Sequence, residues 1–93
     1  MAIRTFRNKG LKRFFETGSK SGIQPFLAFK IELILDHLDA ASELKDMNFP
    51  GSDFHPLKGD LKDFYSTHVN GNWAIIFRFE KGEAFDVDLV GYH

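Results

Sequence analysis

The chain changes its hydrophobic period once, and that change constrains its fold more than any other feature of the sequence. The first half contains a helical apolar stripe about four turns long. The members of this stripe are Leu27, Ile31, Ile34, Leu35 and Leu38. Beyond residue 71 the period becomes two. Alternate residues of this segment then lie on one side of a strand, and they are Trp73, Ile75, Phe77 and Phe79. Helices followed by a run of strands predict an α+β fold.

The helical half is expected to be a two-helix hairpin preceded by a short strand over residues 2–6. Asn8 can cap a helix that runs to about Thr17, and Gly18 suits the position after its last turn. Pro25 suits the first turn of a second helix. A short polar link between two helices is typical of an αα-hairpin.

The second half is expected to be an antiparallel β-meander on which the helices pack. After an irregular stretch over residues 45–60, strands are predicted over residues 61–69, 72–79 and 83–90. Asn70-Gly71 is a strong signal for a two-residue type I′ turn. A second turn is predicted at Lys81-Gly82.

The first turn also predicts which side chains share a face of the sheet. A loop at residues 70–71 sets His68 opposite Trp73 and Phe64 opposite Phe77, and this apolar face should receive the helices. The other face should then carry Tyr65, Ala74, Ile76 and Arg78.

The same register makes predictions for the last strand and for Arg78, a charged residue in the middle of the second strand. If the second turn adds no bulge, Leu89, Gly91 and His93 lie on the face of Ala74. Arg78 needs a partner or a ligand there. Asp63 is the expected cross-strand partner.

Composition and motifs exclude several classes of protein. Ninety-three residues are expected to form one domain, 1–93. The chain has no cysteine, no histidine pair with zinc spacing and no glycine-rich phosphate loop, so we predict neither a metal nor a cofactor. No apolar run approaches the roughly 18 residues of a membrane span, and the N-terminus lacks a signal peptide. We therefore expect a cytoplasmic protein with no membrane association.

Charge is distributed unevenly along the chain. Residues 1–30 carry a net charge of +6, with Glu16 opposed by Arg4, Arg7, Lys9, Lys12, Arg13, Lys20 and Lys30. Residues 31–93 hold five basic and twelve acidic residues, which gives −7. The basic third can meet a phosphate backbone, or it can be the solvated face of a helix. Both interpretations stay open.

Two short segments hold side chains that can transfer protons near neutral pH. The first contains His55 and Lys58, followed by Gly59, which would let a ligand approach the backbone closely. The second is Tyr92 and His93, where the sequence stops. The alternatives are an ordinary turn entering a strand and a frayed tail.

Several motifs together resemble those of HigB-type toxins, which belong to the plasmid-maintenance killer group of the RelE-like superfamily. The resemblance extends over the whole chain and rests mainly on His55 to Lys62, Val69 to Trp73, Phe77 to Phe79, Val87-Asp88 and Tyr92-His93. It implies a RelE-like fold and a ribosome-dependent, metal-independent endoribonuclease that cuts mRNA. It also implies a helix-turn-helix antitoxin, HigA-like, as a partner beside the 30S subunit and mRNA.

The resemblance assigns roles to particular residues. His55, Lys58, Tyr92 and His93 match positions that the family uses for catalysis, with a histidine transferring protons and Lys58 stabilising the phosphate. The basic residues between Arg4 and Lys30 would contact ribosomal RNA, and Arg78 is a further candidate for contact with RNA.

Two positions depart from the family pattern. Ala74 stands where a basic residue is usual, and Gly91 stands where an aspartate is usual. Losing one charge-assisted contact in a site of this kind can lower the rate roughly 10²–10³-fold. A weakened nuclease is thus one expectation, and a toxin-like module that binds antitoxin or ribosome without cutting is the other. A small RNA-binding domain unrelated to toxins is a third.

Overall fold

Two helices cover one side of a four-stranded antiparallel sheet in the computed structural model, which describes residues 2–91. The helices are α1 (Lys9–Thr17) and α2 (Ala28–Ala40). The strands are β1 (His55–Pro56), β2 (Tyr65–Asn70), β3 (Trp73–Glu80) and β4 (Glu83–Gly91). The strands follow one another in the sheet in chain order. The predicted α+β architecture is confirmed.

Both helices begin and end at the predicted signals. The Asn8 side chain accepts the Leu11 N–H at 3.0 Å, which satisfies one free donor of the first turn of α1. Gly18 takes a left-handed φ of 78° and donates to the Phe14 carbonyl. Pro25 opens a 3₁₀ turn that leads into α2. The predicted stripe of α2 is buried in full.

The N-terminal segment is a parallel neighbour of β4, although it is not a continuous strand. Ile3 pairs with Ala84 and Phe6 with Val87 through two isolated bridges. The Arg4 N–H donates to the Ala84 carbonyl at 2.8 Å. We call residues 2–7 the N-terminal arm. The predicted short strand over residues 2–6 is therefore reduced to two isolated bridges with β4.

The prediction that β2 begins at residue 61 is wrong. A 3₁₀ turn occupies Gly59–Leu61, and the Phe64 N–H closes a further turn onto the Leu61 carbonyl at 2.8 Å. Gly59 has a left-handed φ of 69°, which breaks the extended backbone before the strand can begin. The strand starts only at Tyr65.

The predicted type I′ turn at residues 70–71 is also wrong, and the register of β2 moves by one residue. Neither Asn70 nor Gly71 has the positive φ that such a turn requires. The Asn70 side chain instead accepts the N–H groups of Asn72 and Trp73, at 2.8 and 3.0 Å. A bulge between His68 and Asn70 accompanies this turn.

The shifted register moves side chains between faces. Tyr65 pairs with Phe77 and lies on the helix side, where the two rings are 6.1 Å apart. His68 pairs with Ala74 and leaves the helix side, contrary to expectation.

The last strand contains a second bulge, which overturns the predicted facing of its end. Ala74 pairs with Val90, whereas Gly91 pairs with Trp73. Ala74 and Gly91 therefore lie on opposite faces of the sheet, because side chains alternate along a strand. His93 lies outside the described residues.

Buried residues form a main core between the helices and the sheet. Ile75, Phe77 and Val87 supply the sheet side of this core. Phe64, Ala74 and Ile76 are also buried but lie outside the main cluster, on the sheet face away from the helices. Within residues 2–91, no helix has both the length and the apolar character needed to cross a membrane.

Candidate active site

The sheet face away from the helices, which we call the outer face, carries the first predicted site residue. His55 pairs with Ser66, Ser66 with Ile76, and Ile76 with Asp88, so these four residues form one row across the sheet. Directly paired residues of antiparallel strands point to the same side. The row therefore places His55 at one edge of the outer face and Asp88 near the other edge.

His55 is held in one orientation by its own loop. Its Nδ1 atom lies 2.8 Å from the Asp53 carbonyl oxygen, and Asp53 has a left-handed φ of 45° that belongs to this turn. A carbonyl only accepts hydrogen bonds, so Nδ1 carries the proton. In the neutral ring, Nε2 is then the free base. The half-buried imidazole can accept a proton at Nε2 and, once protonated, return it from the same atom.

Lys58 lies three residues beyond His55, in the loop that leaves β1. The residue is exposed, and among residues 2–91 its ammonium group forms no salt bridge. The Leu57 N–H bonds to the Phe64 carbonyl at 2.9 Å, which ties this loop to the start of β2. Lys58 is therefore a cation without a salt-bridge partner among residues 2–91, three residues from His55 and on a loop anchored at both ends.

Arg78 lies on the outer face but is already paired. Its Nε donates to Asp86 at 2.9 Å and its Nη1 to Glu80 at 3.1 Å. The hydrogen bond that Arg78 donates to Asp86 raises the pKa of Arg78 above its ordinary value, and Asp63 contributes only the weakest attraction. The predicted Asp63 pairing is thus wrong, because β2 begins only at Tyr65 and leaves Asp63 outside the strand, while the salt bridges of Arg78 are to Asp86 and Glu80.

Arg7 is the residue of the basic N-terminal third that the structure brings to the outer face. Its guanidinium carbon lies 5.6 Å from the centre of the Phe64 ring. Phe64 is buried and precedes the helix-facing Tyr65, so its ring lies on the outer side. Such a cation–π contact leaves the edge of the guanidinium able to donate hydrogen bonds.

The other predicted RNA-binding residues are not gathered beside His55. Lys9, Lys12 and Arg13 are exposed on α1, in the helical layer, and Lys20 follows that helix. Arg4 forms an exposed ion pair of 3.3 Å with Glu83. These side chains form a basic surface separate from the row that contains His55.

The two departures from the family pattern occupy different environments. Ala74 is fully buried on the outer face, where its strand neighbours are His68 and Val90. Gly91 ends β4 opposite Trp73. The predicted catalytic residues Tyr92 and His93 follow it but lie outside the described residues.

Sequence reasoning missed the contribution of Thr5 and Asp86. The Thr5 hydroxyl accepts the Asp86 N–H at 2.8 Å, and Asp86 has a left-handed φ of 54°. Aspartate tolerates this conformation better than most residues, which is the only signal that the sequence held. Residues 2–91 contain no cluster of His, Asp or Glu side chains arranged to hold a metal ion.

Comparison with protein families gives one match over nearly the whole chain. The model of the HigB-like toxin family, described as the RelE-like toxin of the type II toxin–antitoxin system HigB, matches residues 4–93. The chain is 37% identical to endoribonuclease HigB of Proteus vulgaris over 91 residues, which covers 98% of this chain and 99% of that protein. It is 33% identical to toxin HigB-1 of Vibrio cholerae over 90 residues, or 90% of each chain.

Solved structures with the same fold are more distant in sequence. The YoeB–YefM complex of Staphylococcus aureus contains a chain with a TM-score of 0.63 and 18% identity, covering 98% of this chain and 94% of that one. YafQ of Escherichia coli has a TM-score of 0.62 and 15% sequence identity, and the match covers 96% of this chain and 90% of that one. At this level of identity the likeness concerns the fold alone.

Proposed function

We propose that the chain is an endoribonuclease that cleaves mRNA, because it belongs to the HigB-like family, the RelE-like toxins of the type II toxin–antitoxin system HigB. The P. vulgaris relative, which bears the name endoribonuclease, is matched over almost its full length. The observation on this chain that carries the proposal is the orientation of His55, whose Nε2 faces away from the Asp53 carbonyl.

The reaction needs no group beyond side chains. A ribose 2′-hydroxyl attacks the adjacent phosphorus while the bond to the 5′-oxygen of the next nucleotide breaks, leaving a 2′,3′-cyclic phosphate and a 5′-hydroxyl. A base takes the proton of the 2′-hydroxyl, and an acid returns one to the leaving oxygen. Positive charge stabilises the non-bridging oxygens as the phosphorus becomes five-coordinate.

His55 and His93 are the candidates for base and acid, and Lys58 is the candidate for charge stabilisation. The free Nε2 of His55 suits either proton transfer. An exposed lysine without a carboxylate partner among residues 2–91 keeps its charge for the phosphate. Tyr92 would stack on a base or orient a neighbouring group.

His55→Gln and Lys58→Met test this assignment. Each should lower the rate of mRNA cleavage about 10²-fold or more, because proton transfer and charge stabilisation each contribute on that scale. The measurement is the rate of cleavage of a defined mRNA in a reconstituted translation mixture, with products resolved by length and end chemistry.

Matched controls exist for both positions. His37→Gln removes a histidine whose Nδ1 also bonds a backbone carbonyl, that of Leu33 at 2.9 Å, but which lies on α2 in the other layer. Lys62→Met removes an exposed lysine close to Lys58. Both controls should keep the wild-type rate. Equal losses at His37 and His55 would exclude a specific role for His55.

Two partners follow from the family and are part of the proposal. The first is the ribosome, because the basic side chains of α1 and of the arm suit contact with ribosomal RNA in the 30S decoding site. The second is a helix-turn-helix antitoxin, HigA-like, encoded beside this chain. Co-sedimentation with 30S subunits and co-purification with the product of the neighbouring gene test them separately.

Ala74 and Gly91 favour one second candidate, a toxin-like module that docks without cutting. Both lack the charged side chain that is usual at their positions. Testing cleavage and ribosome co-sedimentation on one preparation separates the two functions. Binding with no cleavage, in the wild type and after Ala74→Arg and Gly91→Asp together, would establish the docking module.

A further inference from the structure

β4 contains one residue more than β3 between two regularly paired stretches. Ile76 pairs with Asp88 and Arg78 pairs with Phe85, so Asp86 and Val87 together lie opposite the single residue Phe77. This is a β-bulge. Its first residue, Asp86, has the left-handed φ of 54° that glycine usually supplies at such a position.

Contacts from two sides hold Asp86 in this conformation. From β3, the Arg78 Nε donates to its carboxylate at 2.9 Å. From the N-terminal arm, the Thr5 hydroxyl accepts its N–H at 2.8 Å, and the Thr5 carbonyl accepts the next N–H, that of Val87, at 3.1 Å. We call Thr5, Arg78 and Asp86 the bulge clamp.

The bulge decides which later residues of β4 face outward. With it, Asp88 and Val90 lie on the outer face, opposite Ile76 and Ala74. Without the extra residue, the register set by the pair Arg78 and Phe85 would continue along β4, and every later residue of β4 would pair one position earlier on β3. Leu89 would then take the outer position opposite Ala74, and the charged Asp88 would turn towards the core.

We propose that the bulge clamp positions the RNA-cleaving site by fixing the register of β4, so that Asp88 and Val90 face outward on the side of the sheet that carries His55. This inference rests on the proposed function, since it assumes that cleavage takes place on the outer face with His55. The clamp residues are positioning residues. Arg78 in particular acts through Asp86, because its guanidinium is occupied by the carboxylates of Asp86 and Glu80.

Phase can be measured directly by cross-strand disulfides, since the chain has no cysteine of its own. Ala74→Cys with Val90→Cys should crosslink in the native phase, because residues directly opposite in a sheet are within disulfide reach. Ala74→Cys with Leu89→Cys should crosslink only if the bulge is lost. The readout is the oxidised fraction on a non-reducing gel, without RNA.

Two substitutions of Asp86 separate the effect of its backbone conformation on the register from the effect of its side chain. Asp86→Gly keeps easy access to positive φ and should keep the 74–90 crosslink. Asp86→Val, with a β-branched side chain that resists positive φ, should move the crosslink to 74–89. If Asp86→Val does not fold, Thr5→Val, which removes the hydroxyl at nearly constant size, should show a mixture of the two crosslinks.

Cleavage rates then test the link to function. Arg78→Met should slow mRNA cleavage on the order of ten- to a hundredfold, the effect expected of a small displacement of catalytic groups. Adding Asp86→Gly should restore most of the rate, since glycine holds the bulge without the clamp. An arginine that contacts RNA directly would show no such rescue.

The outcomes are distinct. Crosslinking at 74–90 in every background, or no rescue of Arg78→Met, overturns the inference. Absence of RNA cleavage by the wild-type chain overturns the proposed function instead, and the crosslinks still report whether the clamp sets the phase.

Discussion

At the scale of single residues, Gly10 on α1 and Gly22 in the link before α2 approach each other so closely that neither position has room for a Cβ atom. A Cβ atom added at Gly22 would lie 2.7 Å from the Gly10 Cα, and one added at Gly10 would lie 2.8 Å from the Gly22 carbonyl oxygen. Both distances are shorter than the contacts that real Cβ atoms make. Only glycine allows the link to cross α1 this closely.

Gly22→Ala should therefore lower the free energy of unfolding by about 1–3 kcal/mol, the usual effect of overpacking. Gly71→Ala is the matched control, since a Cβ at Gly71 would meet no atom within 4 Å and its φ is not positive. The control should stay within about 0.5 kcal/mol of the wild type. Urea unfolding of both variants makes the comparison, and equal losses would contradict the close-contact explanation.

Asp46 predicts a pH dependence of stability. Its carboxylate accepts the N–H groups of Glu43 and Ser42, each at 3.0 Å, and these bonds lower the pKa of Asp46 below its ordinary value of 3.8. A carboxylate with a lowered folded-state pKa stabilises the fold above the unfolded pKa, and this stabilisation is lost as pH falls through the folded pKa.

Asp46→Asn should accordingly unfold at a lower urea concentration than the wild type at pH 6. The difference between their midpoints should shrink below about pH 4, as the wild-type carboxyl group becomes protonated. Urea midpoints measured from pH 6 to pH 3 test this. A difference that stays constant over that range would mean that the charge of Asp46 is irrelevant to stability.

At the scale of elements, α2 separates its two faces sharply. Ile31 is completely buried, whereas Phe29 is 83% exposed only two residues earlier. Ile31→Ala should cost about 2–5 kcal/mol of unfolding free energy because it leaves a cavity in the core. Phe29→Ala should change it by about 0.5 kcal/mol or less. Thermal or urea unfolding of both variants measures the two losses. A larger loss of unfolding free energy in Phe29→Ala than in Ile31→Ala would contradict the observed orientation of the helix.

The same element shows why helices were easier to predict than strand registers. The apolar stripe of α2 repeats one signal over several turns, so the prediction of this helix does not depend on any single residue. The register of β2, in contrast, depends on one turn, in which the Asn70 side chain bonds two N–H groups and replaces the expected loop. The bulge at Asp86 depends on contacts with Thr5 and Arg78, which are distant in sequence. Local patterns do not contain such contacts.

At the scale of the whole molecule, the basic residues of α1 and the row that contains His55 occupy different layers. Lys9, Lys12 and Arg13 lie on α1, whereas His55 lies on the outer face of the sheet. Charge counting along the sequence predicted the basic surface but could not show this separation. The layout suits a protein that docks with one surface and cuts with another.

Replacing Lys9, Lys12 and Arg13 by Gln should thus weaken ribosome binding and reduce its dependence on salt. If each side chain contacts one phosphate, the slope of log K against log salt should fall by about 2–3. Co-sedimentation with 30S subunits over a salt series measures it. Lys81→Gln, in the β3–β4 turn, is the control and should leave the slope unchanged. An unchanged slope in the triple variant would mean that α1 is only a solvated face.

The opposite facing of Ala74 and Gly91 changes what should follow when the usual charges are restored. On one shared face, an Arg at 74 and an Asp at 91 would contact each other and their effects would be coupled. In the observed register Ala74 pairs with Val90 on the outer face and Gly91 pairs with Trp73 on the other. Side chains on opposite faces of a sheet do not touch, so the effects of Ala74→Arg and Gly91→Asp on the cleavage rate should be independent.

A double-mutant cycle on the rate of mRNA cleavage tests this independence. Ala74→Arg alone should raise the rate, by up to about 10²–10³-fold if it supplies a phosphate contact on the face of His55. The double variant should show the product of the two single effects, within a coupling of about 0.5 kcal/mol. A coupling well above 1 kcal/mol would mean that the two side chains meet, and it would contradict the phase that the Asp86 bulge gives to β4.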